Sequence, residues 1–305
     1  MAEREPTRKA LVTGASGFIG SRLARALVGD GWEVHAIVRP SSKLEQLAGI
    51  AERVTFHFHD GSTENLLRAV GDARPHVVFH LAALFVTTHR PDQVVPLLQS
   101  NVVFGTQLLE AMAAAGSRAL VSTGTFSQHY DNRDYAPTFL YDATKKALDD
   151  IVQFYVESAG LSAVTLELYD TYGPGDPRVK LFALLRTAAE SGRTLDMSPG
   201  EQLLNLVYVD DVVRGYRIAA DRLRGEGEQR NERFALSSGR PLPLREVVRI
   251  YQEVTGRAVP VRFGGRPYRP REIMVPWDRG EALPGWSPLV PLEEGILRTE
   301  GLDAR

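Results

Sequence analysis

Three glycines spaced three residues apart, Gly14, Gly17 and Gly20, follow directly on the short apolar run Ala10-Leu-Val12. A run of that length and character suits a strand buried in a parallel sheet. Beyond the glycines, Arg22 to Gly29 has helical periodicity, with Leu23, Ala26 and Leu27 on one side. Strand, glycine turn and helix in that order aim free backbone N–H groups at an anion. Here Gly14 permits a tight bend, Gly17 lets the backbone approach a pyrophosphate, and Gly20 lets the helix pack close to the sheet. Ser16, Phe18 and Ile19 fill out the same turn and helix start. A glycine triplet also serves ordinary turns. Its place after a strand and before a helix makes a nucleotide site the expectation.

The alternation of strand and helix continues. Glu33–Val38, Val54–Phe58, His76–His80, Ala119–Ser122 and Ser162–Leu168 read as further strands. Helical patterns fall between them at Lys43–Leu47, Thr63–Val70, about Asp92 to Ala115, and Thr138–Ser158. This pattern predicts an α/β fold, a Rossmann-type doubly wound parallel sheet with the ligand edge at the strand carboxyl ends. Residues 1–171 form the expected nucleotide-binding domain. From Tyr172-Gly-Pro-Gly-Asp-Pro177 onward glycine and proline become frequent and strands shorten, so residues 172–305 are expected to build mainly a smaller substrate-binding lobe. A stretch of about 205–240, including a strand at Phe234–Ser237, is expected to return to the first domain. Helices are expected at Asp211–Leu223, Leu244–Thr255 and Leu292–Thr299, and a charged loop at Gly225–Arg233.

Composition narrows the function. The 36 basic and 38 acidic residues nearly balance, which leaves no electrostatic footprint for nucleic acid. No apolar run approaches membrane-spanning length, and the first seven residues lack a signal-peptide core. There is no cysteine, which removes thiolate chemistry and suits a reducing cytoplasm. The seven histidines form no metal-binding pattern, so no metal is expected.

Several residues then carry chemistry. Asp60-Gly61 follows the third strand, where a carboxylate can accept from an adenine amino group or brace a helix N-terminus. Leu81-Ala-Ala83 ends the fourth strand with small residues that let a flat ligand lie against backbone; His80 before them reads as a packed core histidine. The second strand ends in Arg39, where an NAD site usually carries an acid; an arginine accommodates a 2′-phosphate. With Ser41, Ser42 and Lys43 beside it, NADP is the favoured cofactor and NAD the alternative. Tyr141 and Lys145, four apart, share one helical face. An ammonium beside a phenol favours the phenolate and lowers its pKa from about 10, making the tyrosine a usable acid or base. Ser122-Thr-Gly-Thr125 brings hydroxyls to the same sheet edge.

Together Thr13–Gly20, Asp60, His80–Ala83, Thr125, Tyr141-x-x-x-Lys145, Tyr172-Gly-Pro174 and Val209-Asp-Asp211 resemble the extended short-chain dehydrogenase/reductases. These are the NAD(P)-dependent epimerases, dehydratases and reductases of sugar nucleotides. The resemblance runs to Leu283-Pro-Gly-Trp-Ser-Pro288 and Leu292-Glu-Glu-Gly-Ile296, and Thr123–Tyr130 with Leu168–Arg178 look most like the CDP-abequose and CDP-paratose synthase branch. It implies a catalytic set of Thr125, Tyr141 and Lys145, with Thr123 competing for the threonine role. It also implies reduction of a 4-keto nucleotide-diphosphate sugar by NADPH, and a homodimer through the long helices after the fourth and fifth strands. Arg271, with Arg269 beside it, aligns with the arginine that grips the diphosphate. Phe85, Gln128, Asp170 and Asn205 are expected to line the sugar pocket. Glu167 stands where relatives commonly carry arginine. Three alternatives stay open: a C4 epimerase with retained NAD, a reductase of a non-nucleotide ketone, and a non-enzymatic NADP sensor, against which the intact Thr/Tyr/Lys set counts.

Overall fold

A computed structural model of the chain describes residues 8–224 and 229–302. In chain order it runs β1 (Lys9–Thr13), α1 (Phe18–Gly29), β2 (Glu33–Val38), β3 (Val54–Phe58), α2 (Thr63–Ala73) and β4 (Val77–His80). Next come α3 (Val94–Leu98), α4 (Phe104–Ala115), β5 (Ala119–Thr125), α5 (Leu140–Ala159), β6 (Ser162–Leu168) and β7 (Asp170–Tyr172). The chain continues through α6 (Leu181–Ser191), β8 (Leu195–Met197), β9 (Leu203–Leu204), β10 (Leu206–Tyr208) and α7 (Val209–Arg222). It closes with β11 (Asn231–Leu236), β12 (Leu242–Pro243), α8 (Leu244–Thr255), β13 (Val261–Phe263) and α9 (Leu292–Glu300). Among the described residues no helix is long and apolar enough to cross a membrane, and no cluster of three or more His, Asp or Glu is arranged to hold a metal ion.

Seven strands form the main sheet in the order β11-β6-β5-β4-β1-β2-β3. Strand β1 pairs in parallel with both β2 and β4, so that Thr13 stands opposite Ile37 on one side and His80 on the other. The order therefore reverses at β1, where the chain winds out through β2 and β3 and returns to start the other half at β4. That reversal opens a crevice at the strand carboxyl ends, the usual ligand position in such sheets. The expected α/β doubly wound sheet is thus present.

The chain divides into two compact units. Of the described residues, the first comprises 8–125, 139–167, 213–224 and 229–234, and the second comprises 126–138, 168–212 and 235–302. In the first, Leu11, Val78 and Leu120 from three neighbouring strands pack under Leu66 and Val70 of α2, Leu108 and Met112 of α4, and Leu148 and Val152 of α5. The approach of α4 to α5 depends on Gly105, where a Cβ would come within 2.5 Å of Leu148 Cδ1. In the second unit two sequence motifs lock together: Asp211 accepts from the backbone N–H groups of Leu289 and Val290, both at 3.0 Å, and its carbonyl accepts Trp286 Nε1–H at 2.8 Å. A Cβ on Gly295 would sit 2.1 Å from the Tyr172 hydroxyl, which ties the Tyr172-Gly-Pro174 and Leu292–Ile296 motifs in the same way.

Three expected elements differ. Lys43–Leu47 holds only the 3₁₀ turn Glu45–Leu47, because between Pro40 and the left-handed Gly49 (φ 81°) there is too little chain to nucleate an α-helix. The helix expected from Asp92 to Ala115 is divided: a π turn at Gln99–Val103 separates α3 from α4. The extra residue of that turn accommodates Asn101, whose buried amide bonds the backbone of Leu84 (2.7 and 3.1 Å) and the Thr144 hydroxyl (3.0 Å). Of the charged loop expected at Gly225–Arg233, residues 225–228 lie outside the described residues, and Asn231–Arg233 belong to strand β11.

Candidate active site

The glycine turn has the geometry of an anion cradle. Gly14 adopts φ 70°, and a Cβ there would lie 2.7 Å from Ala82 N, so only glycine lets β1 and the end of β4 meet. At Gly20 a Cβ would fall 2.2 Å from Gly14 O. Gly17 donates to Gly14 O at 2.9 Å and is the N-cap of α1, which has no side-chain cap. Its uncapped N–H groups are the donors a diphosphate would take, and Ser16, Phe18 and Ile19 flank them. The floor is built by Thr13, whose hydroxyl oxygen accepts from Leu81 and Ala82 N–H, both at 3.2 Å. The same hydroxyl lies 2.9 Å from His80 Nδ1. With its oxygen already accepting twice, the hydroxyl donates to Nδ1, and the ring carries its proton on Nε2. Burial pushes His80 down to about 3, so it is neutral and pins β1 to β4.

Around this floor, Arg39 is exposed at the end of β2, in a turn closed by Ser42 N to Arg39 O (2.9 Å) and Arg39 N to Ser42 Oγ (3.0 Å). Asp60 is exposed, and its Oδ1 accepts from Ser62 N (2.9 Å) and Ser62 Oγ (2.6 Å), bonds that hold its carboxyl below the usual range. Ser62 in turn caps α2 through Asn65 N at 3.2 Å, so Asp60 braces a helix start. Gly61 adopts φ 100°, and Gln107 Nε2 donates to its carbonyl at 3.2 Å. Ala83 is exposed beyond the half-buried Leu81 and Ala82.

Tyr141 and Lys145 lie on the first turns of α5 and are both buried, 7% and 2% exposed. The Lys145 ammonium lies 5.8 Å from the Tyr141 ring centroid. Phe85 meets the same ring edge-on, centroids 4.9 Å apart and planes at 86°. Burial pushes Lys145 down to about 8, partly opposed by the Asp149 carboxylate. The two threonines at the end of β5 differ in what they do. Thr123 donates to His80 O at 2.8 Å and lies 2.6 Å from the hydroxyl of the fully buried Tyr216. Its hydroxyl is consumed within the fold: one bond given to β4, one received from α7. Thr125, two residues on, is half-buried at the strand end.

The second unit holds the remaining expected residues. Gln128 is buried, and its Nε2 has no hydrogen-bond partner among the described residues. Asp170 opens β7; burial raises its carboxyl, opposed by Lys180, Arg269 and Arg178 in that order. Asn205 gives its amide N–H to Ser237 Oγ (2.7 Å) and takes Ser238 N–H and Oγ–H on its oxygen, both 2.8 Å. That amide clamps the turn after β11. Arg271 has φ 56°, stacks its guanidinium 4.1 Å from the Tyr130 ring centroid, and donates to Pro137 O at 3.0 Å. Arg269, whose charge reaches Asp170 as that of Arg178 does, is forked to Glu272 by two bonds of 3.1 Å. Lys180 and Arg178, which complete this basic group, were not singled out from sequence. They sit in an irregular segment whose pattern carries no periodic signal.

Comparison with known proteins adds a further line. Residues 10–232 match the family described as the NAD dependent epimerase/dehydratase family. The chain is 24% identical over 294 residues to a CDP-abequose synthase of Salmonella muenchen, covering 95% of this chain and 96% of that protein. Among solved structures, a UDP-glucose 4-epimerase of Thermotoga maritima with UDP-glucose aligns at 25% identity and TM-score 0.82 over 95% of this chain and 96% of that one. The UDP-glucose 4-epimerase of Thermus thermophilus in complex with NAD aligns at 25% identity and TM-score 0.80, covering 95% and 97%. A family match over 223 residues, on a chain that carries the glycine turn and the Tyr141–Lys145 helix, leads to one assignment: this is an enzyme of the NAD dependent epimerase/dehydratase family, the extended short-chain dehydrogenase/reductases.

Proposed function

We propose that the chain acts on a nucleotide-diphosphate sugar and uses NADPH to reduce the C4 keto group of a deoxy sugar. The sugar-nucleotide part is supported by the names of its relatives, a CDP-abequose synthase and UDP-glucose 4-epimerases. The observation that carries the reductive part is Arg39, exposed at the end of β2 where an acid would hold a 2′-hydroxyl. A guanidinium pairs a 2′-phosphate in a charge-assisted contact worth about 1.5–3 kcal/mol. Reduction consumes a cofactor at each turnover, which suits NADP; an epimerase returns its hydride and suits retained NAD.

Gly14, Gly17 and Gly20 with the α1 N–H groups would hold the diphosphate, Leu81–Ala83 and Asp60–Gly61 the adenosine side, and Lys145 the nicotinamide ribose. When bound, NADPH would supply the hydride for C4. Tyr141 would give its phenolic proton to the C4 oxygen, Lys145 would stabilise the phenolate left behind, and Thr125 would donate to the same oxygen. Arg269, Lys180 and Arg178 form the basic group suited to the substrate phosphates; Phe85 and Gln128 would each contact the sugar. The exposed apolar side chains Val95, Leu98 and Phe154 on α3 and α5 support a homodimer through these helices.

The test is turnover with CDP- and dTDP-linked 4-keto-deoxy sugars. Stoichiometric NADPH consumption giving one C4 configuration is expected, with Arg39→Asp reversing or abolishing the preference for NADPH over NADH. Likeness to UDP-glucose 4-epimerases keeps a second reading: tightly bound NAD in the purified protein, and C4 epimers interconverting without added cofactor, would establish that one instead.

A further inference from the structure

Helix α5 carries a charged residue behind Lys145 that the reduction itself does not use. Asp149 lies one turn past Lys145 and on the same face. Its side chain is 9% exposed and accepts a 2.6 Å bond from Arg233 on β11. The other terminal nitrogen of Arg233 gives a 2.7 Å bond to Glu167 on β6, whose side chain is fully buried. Lys145, Asp149 and Glu167 are thus buried or nearly so, and the part-exposed Arg233 reaches in to both acids, which brings two positive and two negative groups together.

A buried ammonium without a counter-charge discharges, and a buried carboxylate takes up a proton. Each member therefore depends on the others. The groups facing Lys145 are Tyr141 on its own helix, His80 from β4 and Asp149. His80 is neutral and Tyr141 a phenol, so Asp149 is the carboxyl among them; burial raises it, and the Arg233 and Lys145 charges oppose that and favour its ionised form. Arg233 holds the Asp149 carboxylate in place, and Glu167 neutralises Arg233, which leaves the Asp149 charge available to Lys145.

We propose that Asp149 is the counter-ion that keeps Lys145 an ammonium, and that Arg233, fixed between Asp149 and Glu167, positions it. The inference rests on the part given to Lys145 in the proposed reduction, but its test uses neither substrate nor cofactor. A failed reductase assignment therefore leaves the test readable. Glu167 and Arg233 act through Asp149 as positioning residues, and Asp149 acts through Lys145.

The chain has five lysines, Lys9, Lys43, Lys145, Lys146 and Lys180. Whole protein labelled with ¹³C at lysine Cε gives one titrating signal for each, and Lys145→Arg identifies that of Lys145. The unaltered protein is expected to show Lys145 titrating near 8. Loss of an adjacent opposite charge moves a pKa by about one to three units, so Asp149→Asn should weaken proton binding at Lys145 at least tenfold. Asp149→Glu should restore it. Glu167→Gln should lower Lys145 by less, through the uncompensated Arg233. The double variant Arg233→Met/Glu167→Gln keeps the net charge but removes the group that positions Asp149, so it should lower Lys145 by less than Asp149→Asn does; a double variant that leaves Lys145 unmoved overturns the part given to Arg233. An unmoved Lys145 in Asp149→Asn overturns the proposal. So does a double variant that falls as far as Asp149→Asn, since the Arg233–Glu167 pair would then carry the effect.

Discussion

Replacing Thr123 with valine removes a hydroxyl and keeps the shape of the side chain, and the structure says what that hydroxyl does. It donates to His80 O at 2.8 Å and receives the Tyr216 hydroxyl at 2.6 Å. Tyr216 is fully buried, so without Thr123 its hydroxyl loses the bond the structure gives it where solvent does not reach. Leaving one buried donor unsatisfied costs about 1–3 kcal/mol, and valine cannot relieve it. The urea midpoint of Thr123→Val should therefore fall with an unchanged slope. Turnover should stay close to that of the unaltered enzyme, because Thr125, Tyr141 and Lys145 are untouched. Thr125→Val, in the proposed reduction, should lower kcat about 10²–10³-fold, the usual cost of losing one positioned donor to a developing oxyanion. If Thr123→Val instead loses kcat by two orders of magnitude at unchanged stability, Thr123 is the catalytic hydroxyl and the division of labour drawn from these bonds is wrong.

Three further outcomes can be measured. Tyr141→Phe should lower kcat by about 10²–10⁴-fold while NADPH fluorescence still reports binding; normal turnover would remove Tyr141 from the chemistry. In the proposed reduction Lys145 acts as an ammonium, and burial brings it down to about 8, so kcat/KM should decline as pH rises through that value. The sign for stability is the reverse: between about pH 8 and the ordinary 10.5 the unfolded chain keeps a proton the folded chain has released, so this group makes the protein more stable with rising pH. A Lys145→Met comparison isolates both effects, and a flat difference would exclude them. Gly20→Ala should cost about 1–3 kcal/mol and abolish cofactor binding, since its new methyl would lie 2.2 Å from the rigid Gly14 carbonyl; a variant that binds NADPH normally would count against the cradle.

Much of the first half of the chain was readable in the sequence because its signals are local. The bounds expected for β2, β3 and β6 coincide with those observed: β2 and β6 are mainly apolar and buried along almost their whole length, while β3, at the end of the sheet order, alternates Val54, Phe56 and Phe58 with Thr55 and His57. The glycine turn was equally plain: Gly14 and Gly20 are demanded by contacts only a few residues or one strand away. The spacing of Tyr141 and Lys145 on one helix face follows from helical period alone. The pattern could not show the π turn at Gln99–Val103, which exists to seat Asn101 against Leu84 and Thr144, 17 and 43 residues away. Nor could it show that the Thr123 hydroxyl is engaged within the fold, because its partner Tyr216 lies 93 residues further along. Spacing alone suggests Asp149 as a neighbour of Lys145, but not Arg233, 84 residues from Asp149 and 66 from Glu167. Period and propensity describe a residue and its near neighbours. Which hydroxyl is spent and which buried charge finds a partner are set by desolvation, which acts only once distant strands and helices have packed together.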